Sequence, residues 1–195
     1  MSRPHPRPGI FLRAAMTQES TVALDAAAVG RSVKRLAHEI AERNTGAENI
    51  VLVGVVRRGA ALAERLLAGL KEAGKTDVPA GTLDISSYRD DEKGASGDPR
   101  LLGRNIPFSI DGKRVVLVDD VLYTGRTVRA ALEALCDLGR PESIQLAVLV
   151  DRGEREVPIR ADYVGKNIPT PTGQRVYVKL SEVDGFDGVL IGEAK

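Results

Sequence analysis

Residues 115–127 read Val115-Val116-Leu117-Val118-Asp119-Asp120-Val121-Leu122-Tyr123-Thr124-Gly125-Arg126-Thr127, and this stretch decides the fold. Its apolar opening, rich in β-branched valine, predicts a strand buried on both faces, as in a parallel sheet. Two carboxylates follow at once, then a short hydroxyl- and glycine-bearing loop, then a helix predicted over Arg126–Leu138. In an open α/β sheet, ligands bind outside the carboxyl ends of the strands, so Asp119 and Asp120 are expected at the mouth of a crevice. Adjacent carboxylates there suit the vicinal hydroxyls of a ribose or the waters of a magnesium ion. Gly125 lets the backbone approach a ligand closely, and the amides and hydroxyls of Thr124–Thr127 at a helix start cradle a dianionic phosphate. A ribose 5-phosphate satisfies both halves of the motif. A strand end followed by an ordinary helix cap is the bland alternative, and it leaves the dense run of acids, hydroxyls and glycine without a reason.

Working outward, the apolar run Ile144–Val150 predicts a further strand, and strand, helix, strand in succession argues a parallel sheet. Upstream, Ile50–Val56 reads as another buried strand, followed by a helix over Ala60–Glu72. Asp25 caps a predicted amphipathic helix in which Val29, Val33, Leu36, Ala37 and Ile40 recur at helical spacing, ending near Asn44-Thr45-Gly46. Its other face gathers Arg31, Lys34, Arg35 and His38 into a basic stripe. On periodicity alone such a stripe is an ordinary solvated helix face. The fold class expected is α/β, a central, mostly parallel sheet with helices on both faces.

The chain has 195 residues, 43% of them apolar and 28% charged, with a formal net charge of +1. That is one ordinary domain, assigned to residues 21–195, and the neutral balance places no general demand for a nucleic-acid partner. Residues 1–20, rich in proline and arginine, read as a disordered tail in which Met16 is an alternative start. No apolar stretch is long enough to span a membrane, so no membrane role and a cytoplasmic location are expected. Cys136 is the single cysteine; it falls in the apolar run Ala130–Leu138 and is expected to be buried. The polar stretch Ser86–Ile110 has the profile of a mobile functional loop. After Asp151 come three short strand-like pieces, Ala161–Gly165, Arg175–Lys179 and Gly188–Ile191.

Gly69-Leu70-Lys71-Glu72-Ala73-Gly74-Lys75-Thr76 satisfies the nucleoside-triphosphate P-loop pattern letter for letter. A P-loop follows a strand and opens a helix, whereas this stretch closes a predicted amphipathic helix, with Gly74 as its C-terminal cap. Neither His5 nor His38 has metal-ligand spacing, and Cys136 has no catalytic partner in the pattern.

The 115–127 stretch resembles the phosphoribosyl pyrophosphate (PRPP) binding motif of type I phosphoribosyltransferases. Together with Ala37-His38-Glu39, Glu42-Arg43-Asn44, Tyr88-Arg89-Asp90-Asp91, Gly139-Arg140-Pro141, Asp151-Arg152-Gly153 and Pro158 through Thr170, it resembles the PyrR family of pyrimidine-operon attenuators. The resemblance covers nearly all of residues 22–192. It implies a type I phosphoribosyltransferase fold with a small hood and a flexible loop. It also implies a bifunctional protein: an RNA-binding regulator that senses UMP and PRPP at a pyrimidine-operon leader mRNA, and a uracil phosphoribosyltransferase that makes UMP and pyrophosphate, working as a homodimer or larger homo-oligomer. A salvage enzyme for uracil or another base, without specific RNA binding, is the alternative.

Residue by residue, the resemblance implies that Asp119 and Asp120 hold the ribose hydroxyls and that Val121, Leu122, Tyr123, Thr124, Gly125, Arg126 and Thr127 bind PRPP around its 5-phosphate. Arg57, Arg58 and Gly59, in the loop after the first buried strand, would meet the pyrophosphate. Arg89, in a loop that closes over the site, would join Asp119 and Asp120 in catalysis, with Mg2+ entering through PRPP and no direct metal ligand. The Asp162–Ile168 segment would be the hood, with Val164, Gly165 and Ile168 at the base. Arg31, Lys34, Arg35, His38, Arg43, Arg155, Arg160 and Lys166 would contact RNA. Three positions depart from the family pattern: Glu154 stands where histidine is expected, and Arg57 and Lys34 stand where threonine is common.

Overall fold

The computed structural model describes residues 20–45, 48–75, 77–88 and 104–193. The N-terminal tail up to residue 19, Arg89 and most of the 86–110 loop lie outside the described residues. The elements in chain order are β1 (Thr21–Leu24), α1 (Ala26–Arg43), β2 (Ile50–Val55), α2 (Arg58–Glu72), β3 (Ala80–Leu83), a 3-10 turn (Ser86–Tyr88) and β4 (Arg104–Asn105). There follow β5 (Arg114–Leu122), α3 (Arg126–Leu138), β6 (Ser143–Asp151), β7 (Tyr163–Asn167), β8 (Gln174–Lys179), α4 (Ser181–Asp184) and β9 (Gly188–Glu193).

The main sheet has the order β4-β3-β2-β5-β6-β7. All its pairings are parallel except β3 with β4. The central strands carry Val, Leu and Ile on both faces because helices cover both faces. Leu36, Ile40, Leu62, Leu66 and Leu70 of α1 and α2 gather with Leu52, Val116, Val118 and Leu149 in one core. Ala131, Ala134 and Leu135 of α3 gather with Val51, Val53, Val115, Leu117 and Val148 in the other. The α1 boundary is set as expected: the Asp25 carboxylate accepts the Ala28 amide at 2.7 Å, satisfying one of the orphan donors of the first turn.

The accessory unit is a second, antiparallel sheet ordered β1-β9-β8. It stands beside the α1–α2 face, where Val178, Leu180 and Val189 join that core. This corrects the expectation for Asp162–Ile168. Tyr163–Asn167 is instead the last strand of the main sheet, paired parallel to β6 from Ala147↔Tyr163 to Asp151↔Asn167. Without β7, the outer row of β6 amides and carbonyls would be left unpaired; the strand-like piece read at Ala161–Gly165 meets that need at the edge of the main sheet instead of forming a hood. Cys136 is also corrected: it is exposed, because Ala131, Ala134 and Leu135 take the core-facing phase of α3 and position 136 falls outside it. The P-loop look-alike closes α2, with Gly74 at φ 87° and the Lys75 amide bonded to the Leu70 carbonyl, while Thr76 lies outside the described residues. No helix among the described residues is long and apolar enough to cross a membrane.

Candidate functional site

β5 outruns its neighbour: the β2 register with β5 ends at Gly54↔Val118, whereas β5 continues alongside β6 through Asp119, Val121 and Leu122. Asp119 and Asp120 therefore sit beside the loop that carries β2 into α2. Asp119 is only 6% exposed. Each carboxylate accepts the next backbone amide, Asp120 N to Asp119 Oδ1 and Val121 N to Asp120 Oδ1, both at 2.9 Å, which turns the acids toward the strand end. A Cβ on Gly59 would collide with the Val118 carbonyl oxygen, so only glycine lets α2 begin against the backbone of the acids. The Val56–Arg57 peptide bond in this loop is cis. The loop and the acidic pair, chosen separately from sequence, are thus one site.

Arg58 opens α2 and is held by the accessory unit. Its Nε and Nη2 donate to Asp184 at 3.0 and 2.8 Å. Asp184 also accepts Lys179 Nζ at 3.0 Å and the Leu180 amide at 3.1 Å. Burial pushes the Asp184 carboxyl up, but the hydrogen bonds from Arg58, Leu180 and Lys179 outweigh it and hold the group well below the usual carboxylate range. The Asp184 hydrogen bond raises the Arg58 pKa against desolvation, and the negative field of Asp120 adds to it. Two helical turns further along α2, Arg65 bonds Glu182, Asp187 and Ser181. Nothing in the sequence signalled these pairings, because their partners lie more than a hundred residues apart and Ser181–Asp187 reads locally as a turn.

The predicted phosphate cradle forms as a glycine turn into a helix. Gly125 has φ 89° and a Cβ there would strike Val157, so both conformation and space require glycine. α3 starts at Arg126, leaving its first-turn amides directed at the loop. The cradle is braced from behind: the Thr124 carbonyl accepts the Glu156 and Val157 amides at 2.9 and 3.2 Å, and Arg126 pairs with Glu156. Tyr123 is 41% exposed, with the Arg152 guanidinium 3.8 Å from its ring centroid.

The basic stripe is real: Arg31, Lys34, Arg35, His38 and Arg43 are all exposed on α1, opposite its buried face. Lys34 lies 3.5 Å from Glu72. Two stripe arginines are tied to β7. Arg35 Nη2 donates to the carbonyls of Val164 at 3.0 Å and Gly165 at 2.6 Å, and Arg43 pairs with Asp162 at 3.0 Å while standing 5.5 Å from the Tyr163 ring centroid. Val164 and Gly165 thus already have their carbonyls engaged, Ile168 is core at 9% exposed, and β6 separates all three from Asp119. The accessory strand β8 touches β5 itself, and Val176 of β8 and Val121 of β5 both pack against the α1–α2 core. Arg160 and Lys166 are exposed, but Arg155 is folded inward among backbone carbonyls.

Residues 22–179 match the phosphoribosyl transferase domain family. Among curated proteins, the bifunctional protein PyrR of Pelotomaculum thermopropionicum is 56% identical over 178 residues, covering 91% of this chain and 98% of that one. The bifunctional protein PyrR of Listeria monocytogenes is 55% identical over 177 residues, covering 89% and 97%. Among solved structures, a hypoxanthine phosphoribosyltransferase from Staphylococcus aureus superposes with a TM-score of 0.67 at 24% identity, covering 90% and 92% of the two chains. One from Trypanosoma cruzi gives 0.69 at 21%, covering 92% and 94%, which is likeness of fold. The acid pair at the end of β5, the glycine cradle behind it and these matches along almost the whole chain place it in the phosphoribosyl transferase domain family, among the PyrR bifunctional proteins.

Proposed function

We propose that the protein converts uracil and PRPP to UMP and pyrophosphate, and that it binds the leader RNA of pyrimidine genes as an attenuation regulator responsive to UMP and PRPP. The observation that carries the reading is the continuity of β5, Asp119–Asp120 and the Thr124–Thr127 cradle, which gives one bound molecule a diol site and a phosphate site at fixed spacing. Gly59 and Arg58 lie near the acids, and with Arg57 they would meet the pyrophosphate. The C1–O bond to pyrophosphate breaks, the uracil nitrogen bonds C1, and its proton leaves to solvent or a nearby acceptor. No protein nucleophile is needed; rate comes from positioning and from neutralising the leaving group.

Among the described residues no group of three or more His, Cys, Asp or Glu is placed to hold a metal ion. Two adjacent carboxylates suit Mg2+, which keeps waters and takes its remaining ligands from substrate oxygens. Asp119 and Asp120 would hold it through the ribose hydroxyls, and it would supply charge neutralisation at the pyrophosphate. Their replacement together, Asp119→Asn with Asp120→Asn, removes PRPP-dependent UMP formation while circular dichroism stays unchanged; full activity would refute the site. The α1 stripe with Arg160 and Lys166 supplies the RNA face, where cations meet phosphates and unpaired bases stack. Salt-sensitive leader-RNA binding lost on reversing Arg31 and Lys34 to Glu supports that face, and binding unchanged by the reversal removes it.

A further inference from the structure

The segment Asp151–Asp162 joins the two proposed activities, and one residue in it is better placed to transmit than to touch. Arg155 resembles an RNA contact in sequence. In the structure its side chain is 21% exposed and its donors point into the protein. Nη1 donates to the carbonyls of Tyr123 at 2.9 Å and Gly153 at 3.0 Å, Nε donates to the Ile159 carbonyl at 3.0 Å, and Nη2 pairs with the Asp151 carboxylate. A guanidinium has five N–H donors in a planar fork, and this one bridges the end of β6, its own loop and the residue before the phosphate cradle.

Arg155 does not act alone on the cradle. The Arg152 amide donates to the Leu122 carbonyl at 3.0 Å, and the Arg152 guanidinium covers the Tyr123 ring. The Glu156 and Val157 amides hold the Thr124 carbonyl, Glu156 pairs with Arg126, and Val157 fills the space that the missing Cβ of Gly125 leaves. From the other end, the loop runs through exposed Arg160 to Asp162, which pairs with Arg43 of the stripe, and then to Val164 and Gly165, which are bonded by Arg35. Hydrogen bonds and ion pairs, joined by the short run of chain from Ile159 to Asp162, therefore connect the 5-phosphate cradle to the basic face.

We propose that Arg155 is a positioning residue that couples nucleotide occupancy of the phosphate cradle to RNA affinity, rather than a residue that contacts RNA. The proposal rests on the bifunctional reading above. A phosphate in the cradle orders Tyr123–Thr127, and Arg155 passes that order to the loop that presents Arg160 and anchors Asp162. Coupling between two ligands is reciprocal: the factor by which UMP tightens RNA equals the factor by which RNA tightens UMP.

The experiment measures leader-RNA affinity with and without saturating UMP, and UMP affinity with and without RNA, for the full chain and for Arg155→Lys, Arg155→Ala and Arg160→Ala. Lysine keeps the positive charge that an RNA phosphate contact needs, but it cannot reproduce the fork. The expected result is that both Arg155 variants reduce the coupling factor to near one in either direction, while RNA affinity without UMP and its salt slope stay close to those of the unchanged chain. Arg160→Ala instead weakens RNA binding by the same factor with and without UMP and leaves the coupling factor intact.

The proposal is overturned if Arg155→Lys retains full coupling. It is also overturned if Arg155→Ala lowers RNA affinity equally in both states with a salt slope smaller by roughly 0.7–0.9, the signature of one lost phosphate contact. An unchanged chain that shows no coupling at all overturns the proposal together with the UMP-responsive reading, whereas coupling that survives both Arg155 variants overturns the proposal alone.

Discussion

Asp184→Asn is the sharpest test of how the accessory unit is tied to the start of α2, beside the acid pair of β5. The carboxylate takes a bidentate pair from Arg58, a bond from Lys179 and a backbone amide, and its side chain is 10% exposed. Hydrogen bonds to charged groups contribute about 1.5–3 kcal/mol each when well buried, but Arg58 and Lys179 are 33% and 27% exposed, so water screens their share. Asparagine keeps the shape and one acceptor oxygen and loses the charge, so the net destabilisation is about 2 kcal/mol. For a domain of this size that lowers Tm by roughly 4–8 °C.

The pH dependence follows from the sign of the shift. The folded Asp184 pKa lies well below its unfolded value of about 3.9. Its contribution is therefore complete above that value and is lost as pH falls toward the folded one. The Tm gap between the unchanged chain and Asp184→Asn should be constant from pH 7 to about pH 5 and close as pH drops below about 4. Thermal denaturation across that range is the assay, with the PRPP KM measured at pH 7, where freeing Arg58 raises KM more than it lowers kcat. A Tm within about 1 °C of the unchanged chain at pH 7, or a gap that persists undiminished at about pH 2, would refute the reasoning.

Gly125→Ala puts a Cβ onto Val157 in a left-handed conformation; it should raise the PRPP KM by roughly tenfold or more while the far-UV spectrum is preserved, and an unchanged KM would contradict the cradle. Cys136, exposed on α3, should react with a thiol reagent in the native protein as fast as in denaturant, and protection until unfolding would contradict its placement. Arg35→Ala removes two carbonyl bonds to β7 and should destabilise by about 1 kcal/mol as well as weaken RNA binding, so that thermal melts and RNA titrations move together.

What was legible in sequence follows the range of the interaction that determines it. The helix over Ala26–Arg43 was fully readable because its cap, Asp25, and its apolar spacing are local. So were α3, the strand Ile50–Val55 and the opening Arg114–Val118 of β5, whose apolar runs need no knowledge of their partners, whereas the continuation of β5 through Asp119–Leu122 was not, because it is set by pairing with β6. The acid pair and the cradle were readable for the same reason, being one continuous stretch. β7 was misplaced because nothing within Asp162–Ile168 says that the edge of β6 is free. β1 escaped because four residues, Thr21–Leu24, form a strand only by pairing with β9 at the far end of the chain. The Arg58–Asp184 pair and the inward turn of Arg155 escaped alike: a side chain's charge is in the sequence, but the carbonyl or carboxylate it finds is set by the assembled fold.

The most direct measurement is a Mg2+-dependent assay of PRPP with uracil, hypoxanthine or orotate, run beside leader-RNA binding with and without UMP. UMP formation from uracil, with RNA bound more tightly when UMP is present, is the result this account predicts. Turnover of hypoxanthine or orotate in preference to uracil would contradict the substrate, and UMP formation with only weak, non-specific RNA binding that UMP does not change would contradict the regulatory half.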